Sequence, residues 1–203
     1  VDPKSGAVLA YYGGPNGKGY DGKVDNFDYA GIGTRPPGSS FKPYTLATVL
    51  TQTLKKAPTK PKLTIDSYVD GSYCVKIQGR QICNDPGDQG LSSSSVSISN
   101  AMKYSLNTTF DLLAAQAGPD NVAKTAHAMG IATTDSHGNP TLVDADGHTG
   151  FGIGIGDYAV SPLDQASAFG TLANGGRSTA PYFVQSATDS TGKLVYRHKK
   201  ASH

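Results

Sequence analysis

The chain has 203 residues, a length that fits one ordinary domain or slightly more. Its 18 Lys and Arg residues against 16 Asp and Glu residues give a net charge of +2, so composition offers no argument for nucleic-acid binding. Apolar residues make up 37% of the chain, enough for a core, and no apolar run approaches the ~18 residues of a membrane span. Val1 is not an initiator Met, so we expect a processed or excised piece whose anchor or export signal lies upstream.

The N-terminal part of the sequence predicts a strand, a loop and a long helix. Residues 6–12 alternate and are rich in Val and Tyr, which favours a strand. Residues 15–38 are loop-like and end in Arg35-Pro-Pro-Gly38, where each proline disfavours helix for the residue before it. A helix should begin at Ser39 or Ser40 and run to about Leu54, because its apolar positions form a helical stripe.

The middle of the sequence predicts mixed structure. Residues 57–95 contain a Lys- and Pro-rich connector, a short apolar segment at 63–69, a hairpin at 74–83 and a turn at 84–87. The serine run at 92–95 is interpreted as the lead-in to a helix, because apolar residues follow it at helical spacing.

The remaining sequence predicts helices and then strands. Ser161 has the character of a capping residue, with an acidic residue three positions later. The predicted elements are helices at 108–117 and 119–129, a loop at 132–150, a helix from 161 to 173 and a hairpin of 182–187 with 193–197. This order predicts a mixed α/β domain with a helical insertion.

Two cysteines, Cys74 and Cys83, flank the predicted hairpin. Their spacing would allow a disulfide to close the hairpin in an oxidising compartment, and the alternative is two free thiols in a loop. A metal site is disfavoured, because no further Cys or suitably spaced His completes a ligand set.

The sharpest local pattern is a serine followed three residues later by a lysine, Ser39 and Lys42, at a predicted helix start. One helical turn places both side chains on one face. A serine hydroxyl becomes a good nucleophile when a neighbouring base accepts its proton. A lysine amine can be that base when burial and the positive end of a helix lower its pKa. The pattern predicts Ser39 as nucleophile and Lys42 as base, with the Ser39 backbone N–H available to an oxyanion.

A bare Ser-x-x-Lys also occurs where the serine is only a helix cap. The longer string from Arg35 to Pro43 is far more specific, and its Gly38 allows close backbone approach to a ligand. Ser40 is a rival nucleophile, but Lys42 follows it by only two residues and would lie on a different face.

A second pattern is Ser105-Leu106-Asn107. In an extended loop, residues two apart point to the same side, so a hydroxyl and an amide would be presented together. Ser105 could then relay a proton between Lys42 and a leaving amine, while Asn107 could hydrogen-bond a substrate amide. The alternative is a helix–helix junction in which Asn107 caps the next helix, and the pattern taken alone favours that alternative.

Together the two patterns resemble the transpeptidase domain of class A, bifunctional penicillin-binding proteins, whose superfamily carries Ser-x-x-Lys and Ser-x-Asn motifs. The resemblance extends over nearly the whole chain. Residues 1–10 resemble the family's first sheet strand, residues 37–43 its nucleophile helix and residues 104–108 its second motif. Residues 154–156 and 160–176 resemble its late helix.

The resemblance implies a DD-peptidase/β-lactamase-like α/β fold, with an antiparallel sheet flanked by helices and an all-helical subdomain over roughly residues 57–160. Residues 1–203 would be the N-terminal part of a transpeptidase domain, and the sheet would be incomplete in this chain.

The implied reaction is peptidoglycan D,D-transpeptidation. Ser39 would attack the penultimate D-Ala of a stem peptide, Lys42 would accept its proton, and Ser105 would help protonate the leaving amine. Asn107 would bind substrate, and β-lactams would acylate Ser39. No metal or organic cofactor is implied. The implied location is the extracytoplasmic face of a bacterial membrane, with the anchor outside this chain.

The family's third motif, Lys-Thr/Ser-Gly on a strand, is missing from the sequence. His148-Thr-Gly lies in a loop before the late helix, and Thr191-Gly-Lys has the wrong order, so neither replaces it. We therefore expect a downstream segment or a second chain to complete the sheet. Asn84 also resembles a family position near the site.

Two other functions stay open at this point. A D,D-carboxypeptidase or β-lactamase would use the same serine with water as the acceptor, although no Glu-containing deacylation motif is seen. A non-catalytic β-lactam-binding module would explain the missing third motif.

Overall fold

The computed structural model describes residues 1–14, 27–55 and 63–199, so parts of the predicted loop at 15–38 and of the predicted connector lie outside the described residues. The chain divides into two compact units. The first comprises Val1–Arg35, Ala126–Thr141 and Val160–His203, and the second comprises Pro36–Thr125 and Leu142–Ala159. The helical subdomain expected over roughly residues 57–160 stays a prediction. None of the helices in the described ranges is both long enough and apolar enough to cross a membrane.

The second unit begins with two helical segments in series. A 3-10 helix at Gly38–Phe41 runs directly into helix α1 at Lys42–Lys55. The predicted helix from Ser39 or Ser40 is therefore confirmed, but its first turn is tighter than expected. Gly38 permits this entry because its φ of +58° is left-handed, a conformation that glycine adopts without steric cost.

Two antiparallel strand pairs follow in the second unit. They are β1 (Tyr68–Gly71) with β4 (Ser93–Ser97), and β2 (Cys74–Ile77) with β3 (Arg80–Cys83). The hairpin predicted at 74–83 is confirmed. Its two turn residues, Gln78 and Gly79, both have positive φ, as the right-handed twist of a two-residue hairpin requires.

A helix follows the serine run at 92–95, as predicted, but most of the run itself lies in strand β4, which was not predicted. These residues pair with β1 through backbone hydrogen bonds, and Val96 is the buried position of the strand. Helix α2 (Ile98–Lys103) begins directly afterwards. Its cap is Ser97, whose hydroxyl accepts a hydrogen bond from the Asn100 N–H at 3.2 Å.

Helices α3 (Asn107–Ala117) and α4 (Pro119–Met129) confirm the two helices predicted there. Besides a 3-10 helix at Pro86–Leu91, another at Phe151–Ile155 packs against α3 at very short range, because a Cβ on Gly154 would lie 2.5 Å from the Phe110 carbonyl oxygen. A buried cluster fills the space between these elements: Val96, Ala101, Leu106 and Phe110, with Leu46, Val69, Met102, Tyr104 and Ile155 packed against it.

The first unit contains helix α5 (Pro162–Ala173), which starts as predicted: the Ser161 hydroxyl accepts a hydrogen bond from the Asp164 N–H at 3.1 Å. The late hairpin is also confirmed, as β5 (Ser186–Thr188) paired with β6 (Leu194–Arg197), although β5 begins later than residue 182.

The strand predicted at residues 6–12 is wrong. In the described part of the chain, Ala7 alone of these residues forms a bridge, in parallel with Tyr182. The alternating pattern is real, but Leu9 and Tyr12 are 74% and 72% exposed, so no buried face holds this segment in a ladder.

The structure joins Cys74 and Cys83 in a disulfide. The two residues are direct partners at the base of the β2–β3 hairpin, with Cα atoms 4.0 Å apart. The covalent bond and the backbone ladder therefore hold the same short loop closed.

Replacing both cysteines, as Cys74→Ser with Cys83→Ser, should lower the free energy of unfolding by about 2–3 kcal/mol, because the open loop has more conformational freedom in the unfolded chain. Urea denaturation of both proteins measures this difference. Reductant should destabilise the native protein and leave the double variant unchanged; an unaltered midpoint in both would show that the disulfide does not stabilise the fold.

Candidate active site

The 3-10 turn at Gly38–Phe41 brings Ser39 and Lys42 together. Residues three apart eclipse each other in a 3-10 helix, and Lys42 Nζ lies 3.0 Å from Ser39 Oγ. Ser39 is exposed, whereas the Lys42 side chain is fully buried. The hydroxyl is thus open to an incoming molecule while the amine beside it is kept out of water.

The turn is anchored by packing beneath it. Phe41 and Tyr44 are both fully buried, and their rings meet edge to face with centroids 4.6 Å apart. Gly156 closes the other side: its φ is +83°, and a Cβ there would lie 2.3 Å from the Gly38 carbonyl oxygen. The Gly38 N–H donates to the Gly156 carbonyl at 3.3 Å. These contacts hold the backbone on both sides of Ser39.

Lys42 Nζ contacts all three of the other residues that the two sequence patterns single out. Besides Ser39, it contacts Ser105 Oγ at 2.9 Å, the Ser105 carbonyl oxygen at 2.5 Å and Asn107 Oδ1 at 2.8 Å. An ammonium group has only three hydrogens, so it cannot donate to four oxygens at once. The arrangement also suits a neutral amine that accepts a hydrogen bond from a serine hydroxyl.

The extended loop predicted for Ser105 and Asn107 is wrong, because Ser105 ends helix α2 in a left-handed conformation with φ +57°. The Ser105 N–H donates to the Met102 carbonyl at 3.1 Å, and the Leu106 N–H donates to the Ala101 carbonyl at 2.9 Å. These two bonds form a Schellman motif, in which the left-handed position is usually glycine. Ser105 therefore carries a backbone strain of about 1 kcal/mol that a glycine would not.

The alternative of a helix–helix junction is correct, but Asn107 does not cap the second helix. It is the first residue of α3, and its side-chain oxygen accepts from Lys42 instead. Leu106 occupies the cap position and provides no side-chain cap bond. An N–H group of the first turn, that of Thr108, is accepted by Asn84 Oδ1 at 2.9 Å.

Burial is the main influence on the Lys42 amine, because the charged form loses its hydration. It lowers the Lys42 pKa from 10.5 to about 8, and the negative charges of Asp111, Asp85 and Asp88 partly oppose the change. Near pH 8, the Lys42 amine is therefore about half neutral, whereas an ordinary lysine is almost wholly protonated.

Asp111 is a functional candidate that sequence reasoning missed. It is 1% exposed, and its Oδ1 has no hydrogen-bond partner among the described residues. Burial, together with the like charge of Asp157, raises the Asp111 pKa to about 7, while Lys42 and Arg80 act in the opposite direction. The signal available in the sequence was the position of Asp111 four residues after Asn107, which puts both side chains on one face of the helix.

The other candidates lie apart from this cluster. His148 is exposed, and its ring lies 3.6 Å from Asp120. The hydroxyl of Ser40, the rival nucleophile, donates to the Pro37 carbonyl at 2.8 Å. Within the described ranges, no group of three or more His, Cys, Asp and Glu side chains is arranged to hold a metal ion.

The Lys42 amine should titrate with a pKa of about 8, and Asp111→Asn should lower that value further, because it removes the largest opposing negative charge. Side-chain NMR of labelled lysine measures the titration, with the signal assigned by its loss in Lys42→Met. Asp66→Asn, an exposed acid on the same unit, is the control. A Lys42 pKa near 10.5, or one unmoved by Asp111→Asn, would contradict this account.

Ser105→Gly should be more stable than Ser105→Ala by about 1 kcal/mol, because both remove the hydroxyl but only glycine relieves the left-handed backbone. Chemical denaturation of the two variants measures the difference. Equal stabilities would show that the Ser105 conformation is not strained.

Known proteins share this arrangement of elements. All residues 1–203 match the family described as "Penicillin binding protein transpeptidase domain". Penicillin-binding protein 1A of Mycobacterium tuberculosis is 35% identical over 201 residues, covering 97% of this chain and 22% of the relative. Peptidoglycan D,D-transpeptidase PbpA of Mycolicibacterium smegmatis is 31% identical over 167 residues, covering 75% of this chain and 31% of that protein.

The solved structure of PonA1 from Mycobacterium tuberculosis in complex with penicillin V matches with a TM-score of 0.82 and 33% identity, over 97% of this chain and 48% of that one. The chain spans only about a quarter of the length of the curated penicillin-binding protein 1A relatives, 23% and 22%. The fold is that of the penicillin-binding transpeptidases, as the sequence resemblance implies. The chain belongs to the penicillin-binding protein transpeptidase domain family.

Proposed function

We propose that this chain carries the nucleophile and the base of a peptidoglycan D,D-transpeptidase that is acylated by β-lactams at Ser39. One observation carries the proposal: the exposed Ser39 hydroxyl lies 3.0 Å from the buried Lys42 amine. A depressed lysine pKa beside a serine is the arrangement that activates a hydroxyl for acyl transfer. Two relatives reported above, a D,D-transpeptidase and a structure in complex with penicillin V, support the substrate class.

In the first step, Ser39 Oγ bonds to the carbonyl carbon of the penultimate D-Ala while its proton passes to the neutral Lys42 amine. The carbonyl becomes a tetrahedral oxyanion. The Ser39 N–H lies in the first turn of the 3-10 helix, where N–H groups have no intrahelical acceptor and can stabilise negative charge.

In the second step, the bond to the terminal D-Ala breaks and its amine takes up a proton. We assign that transfer to Lys42 and Ser105, because Ser105 Oγ lies 2.9 Å from the Lys42 amine. Asn107, whose side-chain oxygen accepts from the same amine at 2.8 Å, is placed to present its amide to substrate. The amine of a second stem peptide then attacks the Ser39 ester, forms the crosslink and releases the serine.

A β-lactam follows the same two steps, including cleavage of its C–N bond and protonation of the nitrogen, and stops at the ester on Ser39. Its strained amide carbonyl takes the place of the D-Ala carbonyl, Ser39 opens the ring, and the leaving nitrogen stays attached to the adduct. The long-lived ester on Ser39 is therefore the expected product, and it needs no acceptor amine.

We further propose that residues 1–203 act as the N-terminal part of a transpeptidase domain, at the extracytoplasmic face of a bacterial membrane. A segment outside these residues would supply the Lys-Thr/Ser-Gly strand. Strand β6 supports this, because β5 is its one partner among the described strands and its other edge has no paired strand. An additional strand would pair with the backbone groups of that edge.

Ser39→Ala should abolish covalent labelling of the intact protein by a fluorescent penicillin, a loss of about 1000-fold or more, because no other group takes over a missing nucleophile. Ser40→Ala is the matched control and should label at the native rate. Gel fluorescence and intact-protein mass spectrometry measure the adduct. Full labelling of Ser39→Ala would refute the nucleophile assignment, and rapid release of hydrolysed penicillin would favour a β-lactamase or carboxypeptidase instead.

A further inference from the structure

Asn84 is a buried amide, 3% exposed, that follows Cys83 at the end of strand β3. Its side-chain oxygen accepts the Thr108 N–H at 2.9 Å and lies 3.2 Å from the Thr108 hydroxyl. Its side-chain nitrogen donates to Ser92 Oγ at 3.0 Å and to the Ser72 carbonyl at 3.4 Å. The amide therefore uses both its donor and its acceptor capacity, and its oxygen is directed at helix α3.

The first turn of α3 needs an acceptor from elsewhere. The first N–H groups of a helix have no intrahelical partner, and a polar side chain at the cap position usually accepts one of them. Here the cap position is Leu106, whose side chain cannot accept. Asn84, 24 positions earlier in the chain, accepts the Thr108 N–H instead, so the cap of α3 comes from a separate element.

The capped turn carries the groups that surround the Lys42 amine. Asn107 directly precedes Thr108 and accepts from Lys42 Nζ at 2.8 Å. Ser105 lies two residues further back, in its left-handed conformation, and offers two oxygens to the same amine. A movement of the α3 start would shift all three oxygens relative to Lys42.

The position of Asn84 is itself fixed by the disulfide hairpin. The neighbouring Cys83 is bonded to Cys74, and the Asn84 N–H donates to the Tyr73 carbonyl at 2.8 Å. The Thr109 hydroxyl adds a second link, donating to the Asp70 carbonyl at 3.0 Å on strand β1. The strands thus form a rigid support for the first turn of α3.

We propose that Asn84 is a positioning residue for acyl transfer, capping α3 from outside the helix and holding Asn107 and Ser105 against the Lys42 amine. The proposal rests on the acyl transfer proposed above, in which these groups carry the proton. Asn84 itself touches neither Ser39 nor Lys42 in the contacts of the described residues, so its effect passes through the helix start.

The test compares Asn84→Ala, Asn84→Asp and the native form of the intact protein. Asn84→Ala should slow acylation of Ser39 by a fluorescent penicillin about 10-fold or more, the factor expected for losing a buried capping bond. Asn84→Asp keeps the acceptor oxygen and should restore most of the rate on the alkaline plateau, where the Lys42 amine is neutral.

The second readout is the Lys42 titration by NMR, which needs no reaction. Asn84→Ala should raise the Lys42 pKa towards its ordinary value, because a loosened α3 admits water to the amine. The charged groups that face Lys42 are Asp111, Asp85 and Asp88, and all three remain in the variant. Asn84→Ser, one bond shorter than the native side chain, replaces Asn84→Ala if the latter is recovered unfolded.

The matched control is Ser161→Ala, which removes the side-chain cap of α5. It should lower the thermal midpoint while leaving the acylation rate and the Lys42 pKa unchanged. The proposal is overturned if Asn84→Ala acylates at the native rate with an unmoved Lys42 pKa, or if Asn84→Asp is as slow as Asn84→Ala. Failure of the native protein to acylate would overturn the proposed function alone, and the Lys42 titration would still decide the role of Asn84.

Discussion

An amine that is removed from water beside a serine hydroxyl can be neutral near physiological pH, and the packing around Lys42 maintains that condition. Three oxygens from the α2–α3 junction satisfy the amine, so burial does not leave it unpaired. The nearby carboxylates of Asp111, Asp85 and Asp88 oppose this effect, so the Lys42 pKa falls to about 8 and no further. The balance between desolvation and these charges sets the pH range in which the Lys42 amine is neutral.

The site is built where helices begin and end. Ser39 stands in the 3-10 turn before α1, Ser105 just after the end of α2, and Asn107 at the start of α3. Helix termini expose backbone groups that need partners, so they can be tied to neighbouring elements. They also tolerate unusual backbone: the left-handed Ser105 keeps a hydroxyl where a glycine would be more stable, which is the kind of local strain found at functional sites.

Sequence patterns predicted the residues of the site better than their geometry. The structure brings together Ser39, Lys42, Ser105 and Asn107, the four residues that the two patterns single out, because residue type and spacing can be recognised locally. The conformation of Ser105 was not predicted, since left-handed residues are usually glycine or asparagine. The burial of Asp111 and the contact between Asn84 and Thr108 depend on packing between distant segments, and no local pattern encodes them. The same limit explains why strand β4 was missed and why the strand predicted at 6–12 was wrong, because their pairing is decided by partners elsewhere in the chain.

The disulfide at the base of the β2–β3 hairpin has a consequence for where the protein can mature. Cytosolic thiols are normally kept reduced, whereas exported proteins meet an oxidising environment. In a reducing compartment, Cys83 would be a free thiol, and the asparagine that follows it would lose its covalent support. In a reducing compartment, the first turn of α3 and its contacts with Lys42 would therefore be held less firmly than in an oxidising one.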